Sequence, residues 1–357
     1  MERKRLQEIL DVFPKLRIAV AGDFFLDKWL EIDRSLDEPS LETGLTAYQV
    51  VAKRCYAGAA GTVLSNLAAL ETGTLYAIGF LGNDGEAFEI KRALKNIGVN
   101  TERLHSSDEV MTPTYTKPVF RTKDGIEETN RLDHRNTRPT PLELERKIIG
   151  SIREIAPMVD AIIALDQLTH EGCGVLTPAV RQELAEIGKQ YPKLVLYADS
   201  RAFIRHFRNM VIKCNNIEAV RLFHQREDEK AIREKASDLE EVKKYLLKLS
   251  EHTGRKAFIS CGAKGVMALD EKGAPVLVPA VKLRPDIKID IVGAGDACSS
   301  GIVTSLCAGA SPEEAAFVGN LVAGNTIQVI GTTGTANRSQ VLALYDEYCG
   351  NSSVMRH

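Results

Sequence analysis

Charge of one sign is missing from this chain of 357 residues: 46 Lys and Arg face 48 Asp and Glu, a formal net charge of −2. So even a balance sets up no overall field to attract nucleic acid or an anionic membrane. Paired cysteines are missing too. The seven, at 55, 173, 214, 261, 298, 307 and 349, form no C-x-x-C pair. That scatter excludes a zinc-ribbon site, argues against a disulfide framework and fits a reducing compartment. No apolar run is long enough to span a bilayer, and the charged stretch from Met1 to Arg17 lacks a signal-peptide core. A cytoplasmic location with no membrane partner is expected. There is no G-x-x-x-x-G-K-[ST] run, which excludes a Walker-type loop. The first apolar run ends in Gly22-Asp23-Phe24, where a dinucleotide oxidoreductase would carry G-x-G-x-x-G. No internal repeat or low-complexity linker is visible.

What is present has the makeup of a globular chain, 44% hydrophobic and 26% charged. Leu6, Ile9, Leu10 and Phe13 sit at helical spacing before the first strand, Arg17 to Gly22. Short apolar runs follow at Leu75 to Phe80, Ala161 to Leu165 and Leu194 to Ala198, with helices predicted at Asp84 to Gly98 and Pro178 to Lys189. Near-continuous apolar strands alternating with helices indicate an α/β fold whose mostly parallel sheet is covered on both faces. Two stretches break this rhythm. Lys28 to Cys55 and Tyr115 to Asp133 alternate polar and apolar residues, as half-exposed antiparallel strands outside the main sheet do. They are read as a small β lid within roughly 28–55 and 113–134. The charged stretch Arg226 to Lys248 reads as a solvated helix with i,i+4 pairs such as Glu240 with Lys244. Late in the chain Ser311 and Pro312 are well suited to cap and start a helix.

The chemistry concentrates near residue 290. Gly293-Ala294-Gly295 forms a small-residue turn, and Ala297, Ile302, Val303 and Leu306 then follow a helical period. The first N–H groups of such a helix are unpaired and make an anion site, which glycine lets a ligand approach closely. Asp296 stands in that first turn, placed to accept a proton from an attacking hydroxyl. The plainer alternative, an acid complementing the helix dipole, leaves the Gly-Ala-Gly before it without a reason.

The segment Asp290-Ile291-Val292-Gly293-Ala294-Gly295-Asp296 resembles the Asp-Thr-x-Gly-Ala-Gly-Asp signature of the ribokinase (PfkB) carbohydrate kinases. The resemblance runs from about Arg17 to Thr335. It implies one ribokinase-like domain over 1–357: a three-layer α/β/α fold with a mostly parallel central sheet and a small β lid. It implies that Asp296 is the catalytic base and that the amides of Gly293, Ala294 and Gly295 form the anion hole. Ile291 in place of Thr is expected to alter local packing more than chemistry. Gly22-Asp23-Phe24-Phe25-Leu26-Asp27 matches the family's first strand end, where Asp27 would contact substrate hydroxyls. Ala57-Gly58-Ala59-Ala60-Gly61 stands where the family has Gly-Gly-Ala-Ala-Asn, so Gly58 and Gly61 fall in the sugar site. Ala57 replaces a Gly, and Gly61 replaces the Asn that would bond the sugar. Gly79 to Gly85 matches a G-x-x-G-x-D turn of structural use.

Further along, Asn215-Asn216-Ile217-Glu218 matches N-x-x-E, which places Asn215 at the nucleotide and Glu218 in the water shell of Mg²⁺. Ser260, Gly262 and Gly265 match a glycine turn lining the nucleotide, and Gly334, in Gly331-Thr332-Thr333-Gly334-Thr335, the closing loop of the adenine pocket. Asp290 and the Val292 carbonyl would hold a monovalent cation, K⁺. The implied cofactors are thus ATP, Mg²⁺ and K⁺, and the implied partner is a sugar or sugar phosphate, with a homodimer formed through the lid strands. Asp37-Glu38-Pro39 and Arg131-Leu132-Asp133 are similar to stretches of the heptose 7-phosphate kinases. Lys117, Arg131 and Arg201 are candidate anchors for a sugar phosphate. Asp166 and Asp199 end buried strands, where open α/β sheets bind ligands. Because Ala57 and Gly61 depart from the pattern, a catalytically silent sugar or nucleotide sensor is the alternative.

Overall fold

The computed structural model describes residues 1–354 except Asp124, Gln225 and Thr332. In chain order the strands are β1 (Arg17–Gly22), β2 (Phe24–Ile32), β3 (Glu38–Pro39), β4 (Thr46–Ala47), β5 (Val50–Ala59), β6 (Thr74–Gly82), β7 (Asn100–Ser107) and β8 (Thr114–Thr122). They continue as β9 (Gly125–Glu128), β10 (Leu132–His134), β11 (Ala161–Asp166), β12 (Val195–Ser200), β13 (Val211–Asn215), β14 (Ala257–Ser260), β15 (Gly265–Leu269) and β16 (Pro275–Pro279). The helices are α1 (Arg3–Leu10), α2 (Ala60–Ala69), α3 (Gly85–Asn96), α4 (Leu142–Ile155), α5 (Pro178–Gln190) and α6 (Asn216–Phe223). After them come α7 (Glu229–Ser237), α8 (Leu239–Thr253), α9 (Ala294–Cys307), α10 (Pro312–Thr326) and α11 (Arg338–Val354).

Among the described residues nine strands form the main sheet, in the order β16-β15-β14-β13-β12-β11-β1-β6-β7. Every neighbouring pair from β14 to β7 is parallel, and β15 runs antiparallel to both β14 and β16. The apolar runs are continuous because both faces are covered. In β1, Ile18 and Val20 join a core with α1, α2, α3, α9, α10 and α11, whereas Ala19 and Ala21 join a second core with α4 to α8. This is the expected ribokinase-like layering. α1 begins where the Leu6, Ile9 and Leu10 spacing requires, and Phe13 packs into the same core from a short 3₁₀ turn. α10 carries the predicted cap as a full capping box between Ser311 and Glu314. The charged stretch forms two helices, α7 and α8, where one was expected; Glu229 with Arg233 is an i,i+4 pair, whereas Glu240 pairs with Lys243 and Glu241 with Lys244 at i,i+3 rather than Glu240 with Lys244.

The lid is a second sheet, β10-β8-β2-β5, with β9 against β8. Here the structure corrects the reading of antiparallel strands throughout: β2 and β8 pair in parallel, Asp27 opposite Tyr115. β2 follows the end of β1, and β8 follows the end of β7, with β1 and β7 lying in the parallel part of the main sheet. Strands leaving the same edge of one parallel sheet run the same way. The lid is fastened to α3 by Lys28 with Glu86 at 3.0 Å and Lys53 with Glu89 at 2.7 Å.

Candidate active site

The carboxyl ends of β1, β11, β12 and β13, the first turns of α2 and α9, and the root of the lid meet at one edge of the main sheet. α9 opens from Gly293, whose φ of +79° suits glycine. A Cβ there would lie 2.4 Å from Thr333 Cγ2 and 3.7 Å from Thr62 Cγ2. The predicted anion turn is therefore wedged between the loop after α10 and the first turn of α2. Of the three expected amides, Ala294 donates its N–H to the Ile291 carbonyl at 3.2 Å, which leaves Gly293 and Gly295 as the free donors of this helix start among the described residues.

Asp296 stands next in the helix and is only partly exposed, and its carboxylate accepts no hydrogen bond from the described residues. Burial by the surrounding protein, reinforced by the negative charge of Asp199, pushes it up to about 7, with Lys213 and Arg201 pulling the other way. Asp199, next to last in β12, takes a hydrogen bond from Lys213 Nζ at 2.6 Å and another from Ser299 Oγ at 3.1 Å. Tyr197 OH donates to Ser299 Oγ at 3.0 Å. The Lys213 side chain is 4% exposed, and its Nζ would lie 3.9 Å from a Cβ built on Gly295. A buried ammonium thus lies under the anion turn. Burial alone would lower Lys213, but the charges of Asp199, Tyr197 and Cys298 and the hydrogen bond to Asp199 together outweigh it, and the amine stays well above its ordinary range.

The residues expected on the sugar side come together at the base of the lid. Asp27 pairs with Lys117 Nζ at 3.4 Å, and Lys117 also lies 4.7 Å from the centre of the Trp29 ring. Gly58 faces Asp27 so closely that a Cβ would sit 2.3 Å from Asp27 Oδ2. Ala59 turns the chain into α2 at φ 52° and ψ −113°, a conformation costly for any residue with a Cβ, on the order of 1–3 kcal/mol. Arg131 forks onto Asp133 at 2.7 and 2.8 Å and stacks over Tyr115 at 4.4 Å, and Arg135 lies over the same ring. Arg201 is exposed; its backbone N–H donates to the Asp166 carbonyl at 3.0 Å, but its guanidinium makes no hydrogen bond or ion pair among the described residues and adds its charge near both Tyr115 and Asp296.

Asp166 lies deeper than a strand-end ligand group would. It takes a hydrogen bond from Ser200 Oγ at 2.8 Å and stands 3.9 Å from the buried Arg181. Burial, and then the nearby Asp23, raise it to about 7. Asp23 is structural: its carboxylate accepts the backbone N–H groups of Gln167, Leu168 and Val175.

Of the residues expected at the nucleotide, Asn215 and Glu218 form a reciprocal capping box on α6, each accepting the other's backbone N–H at 2.8 Å. Burial raises Glu218, with the Asn215 N–H opposing and Asp199 assisting. Gly262 and Gly265 bracket the turn between β14 and β15, and Ser260 donates to the Cys214 carbonyl at 3.4 Å. Asp290 accepts from Val292 N at 3.1 Å and Gly331 N at 3.2 Å, which ties the anion turn to the late loop. Gly334 packs against the end of α10, and its neighbour Thr332 lies outside the described residues. Ile291 is 72% exposed, so its expected effect on packing is not met. Two open hollows, of about 600 and 420 Å³, lie near Ser311 and near His105, and neither is lined by Asp296.

A family model described as pfkB family carbohydrate kinase matches residues 26–338. The chain belongs to that family. It is a carbohydrate kinase with a ribokinase-like fold, as the motif order implied. It is similar to the bifunctional protein HldE of Desulfatibacillum aliphaticivorans, 26% identical over 335 residues, 94% of this chain and 64% of the relative. It is similar to that of Wolinella succinogenes at 26% over 340 residues, 94% of this chain and 66% of the relative. The chain thus spans a little under two thirds of these relatives. Among solved structures, Escherichia coli phosphofructokinase-2 in complex with substrates and products aligns at a TM-score of 0.68 and 16% identity, covering 94% of this kinase and 99% of that chain. Arabidopsis thaliana ribokinase complexed with ribose and ATP aligns at 0.63 and 18%, covering 92% and 98%. Among the described residues no helix is long and apolar enough to cross a membrane.

Proposed function

We propose that this kinase transfers the γ-phosphoryl group of ATP to a hydroxyl of a sugar phosphate, with a heptose 7-phosphate as the substrate and Asp296 as general base. The hydroxyl oxygen bonds to phosphorus, the bond to the bridging oxygen of ADP breaks, and the hydroxyl proton passes to Asp296. The observation that carries this reading is a partly desolvated carboxylate, without a hydrogen bond from the described residues, beside a helix start where Gly293 and Gly295 keep their amides for a ligand and Ala294 gives its own to the Ile291 carbonyl. Arg201, Arg131 and Arg135 around Tyr115, with Lys117 at Asp27, supply cations for the phosphate that the sugar already carries. Asn215, Ser260, Gly262, Gly265 and Gly334 line the nucleotide.

Among the described residues no cluster of three His, Cys, Asp or Glu side chains is set to hold a metal ion. That fits Mg²⁺ carried by phosphates and water, with Glu218 as its one distant carboxylate and charge neutralisation as its contribution. K⁺ is assigned to Asp290 and the Val292 carbonyl, where Asp290 already joins two loops. The homodimer belongs to this proposal as well. Leu41, Leu45, Tyr48 and Val50 are exposed on the lid, and the molar mass in solution is expected to be twice that of the chain.

The test is ATP turnover against ribose, fructose, fructose 6-phosphate, sedoheptulose 7-phosphate and a heptose 7-phosphate, with the phosphorylated product identified by mass. No turnover with any of them, alongside measurable ATP binding, would favour the silent sensor. The pH profile gives a second check. Asp296 acts only when ionised and stands at about 7. On the acid side kcat/KM is therefore expected to fall as pH drops through about 7, roughly tenfold per unit below it.

A further inference from the structure

Ala57 and Gly61, two separate departures in sequence, are one feature in space. A Cβ built on Gly61 would lie 2.5 Å from Ala57 Cβ, with Phe24 Cδ1 at 4.0 Å as its next neighbour. The methyl of Ala57 stands where a side chain at 61 would have to begin. Neither backbone is free to retreat. Ala57 is held in β5 opposite Leu26, and Gly61 lies in the first turn of α2 just after the strained Ala59. Both residues are buried. Gly58, next to Ala57, is pressed against the Asp27 carboxylate, and Thr62, next to Gly61, reaches the anion turn at Gly293. The pair therefore lies between the residue that would read the acceptor's hydroxyls and the turn that would receive the phosphoryl group. The wall there is a methyl and a bare backbone.

We infer that Ala57 and Gly61 are a reciprocal specificity pair, making this stretch of wall one that takes an acceptor carbon without a free hydroxyl, deoxy or substituted. This rests on the reading of the site as the acceptor side of a kinase. A wall that hydrogen-bonds a hydroxyl strongly rejects an analogue lacking it, whereas an apolar wall discriminates little.

The test has two arms. In thermal unfolding, Gly61→Asn alone is expected to lower Tm by roughly 3–10 °C through overpacking, and Ala57→Gly in the same chain to restore most of it. The second arm is calorimetric binding of fructose 6-phosphate and its 3-deoxy and 4-deoxy analogues, with Mg²⁺ and a non-hydrolysable ATP analogue present. Wild type is expected to bind the three within about threefold of one another. The double variant, with an amide at 61, should bind the parent sugar about tenfold tighter than wild type and prefer it to at least one deoxy analogue. A Gly61→Asn variant as stable as wild type overturns the inference. So does a folded double variant that binds fructose 6-phosphate no tighter than wild type. Neither arm consumes ATP, so a failure of the kinase reading would show separately, as absent turnover.

Discussion

Asp296→Asn is expected to lower kcat by about 10²–10⁴-fold while leaving nucleotide binding and the fold intact. The substitution keeps the shape of the side chain and removes only its ability to take a proton. The Asp296 carboxylate accepts no hydrogen bond from the described residues, so no internal partner is orphaned. The stability effect has a definite sign. Burial holds Asp296 at about 7, above its ordinary value of 3.8, so the folded state keeps a proton that the unfolded chain has already released. Native stability from this group is complete at low pH and is lost as pH rises through about 7. At pH 8 the neutral amide avoids that loss, and Asp296→Asn is expected to unfold at the same denaturant concentration as wild type or a higher one. An inactive variant that is also clearly less stable would point to a structural role for Asp296. One that retains nearly full turnover would remove it as the base.

The turn proposed as catalytic was legible because its signal is local. A Gly-Ala-Gly run followed by a helical period has few structural uses, and the observed N-cap at Gly293 with Asp296 in the first turn is what it encodes. The parallel strands were legible for a similar reason, since burial on both faces leaves a continuous apolar run. The direction of β2 against β8 was hidden because alternation of polar and apolar residues is the same in either orientation, and the order of the main sheet decides it. The coupling of Ala57 to Gly61 was hidden because each departure was weighed alone. Least legible was the support beneath the anion turn. Lys213 and Asp199 lie 14 residues apart, and Asp199 and Ser299 lie 100 apart. Lys213 sits inside an apolar strand, immediately before Cys214 and Asn215, and a charged residue in such a run is the one signal that marked it.

That support yields the largest expected loss of stability. Asp199→Ala leaves the Lys213 ammonium 4% exposed and without its only hydrogen-bond acceptor among the described residues. Removing one partner of a buried pair costs about 3–5 kcal/mol, because the remaining charge stays desolvated. Urea unfolding near neutral pH should show this loss. It should shrink toward alkaline pH, where Lys213 without its partner gives up its proton and no longer buries a charge. Lys213→Met should cost less, because Asp199 is 20% exposed and keeps Ser299 as a donor. The two variants also act on Asp296 in opposite senses. Asp199 raises its proton affinity and Lys213 lowers it. The acid limb of kcat/KM should therefore move to lower pH in Asp199→Ala and to higher pH in Lys213→Met. If both limbs moved the same way, the pair would be acting on Asp296 through packing, because only its charges predict opposite signs.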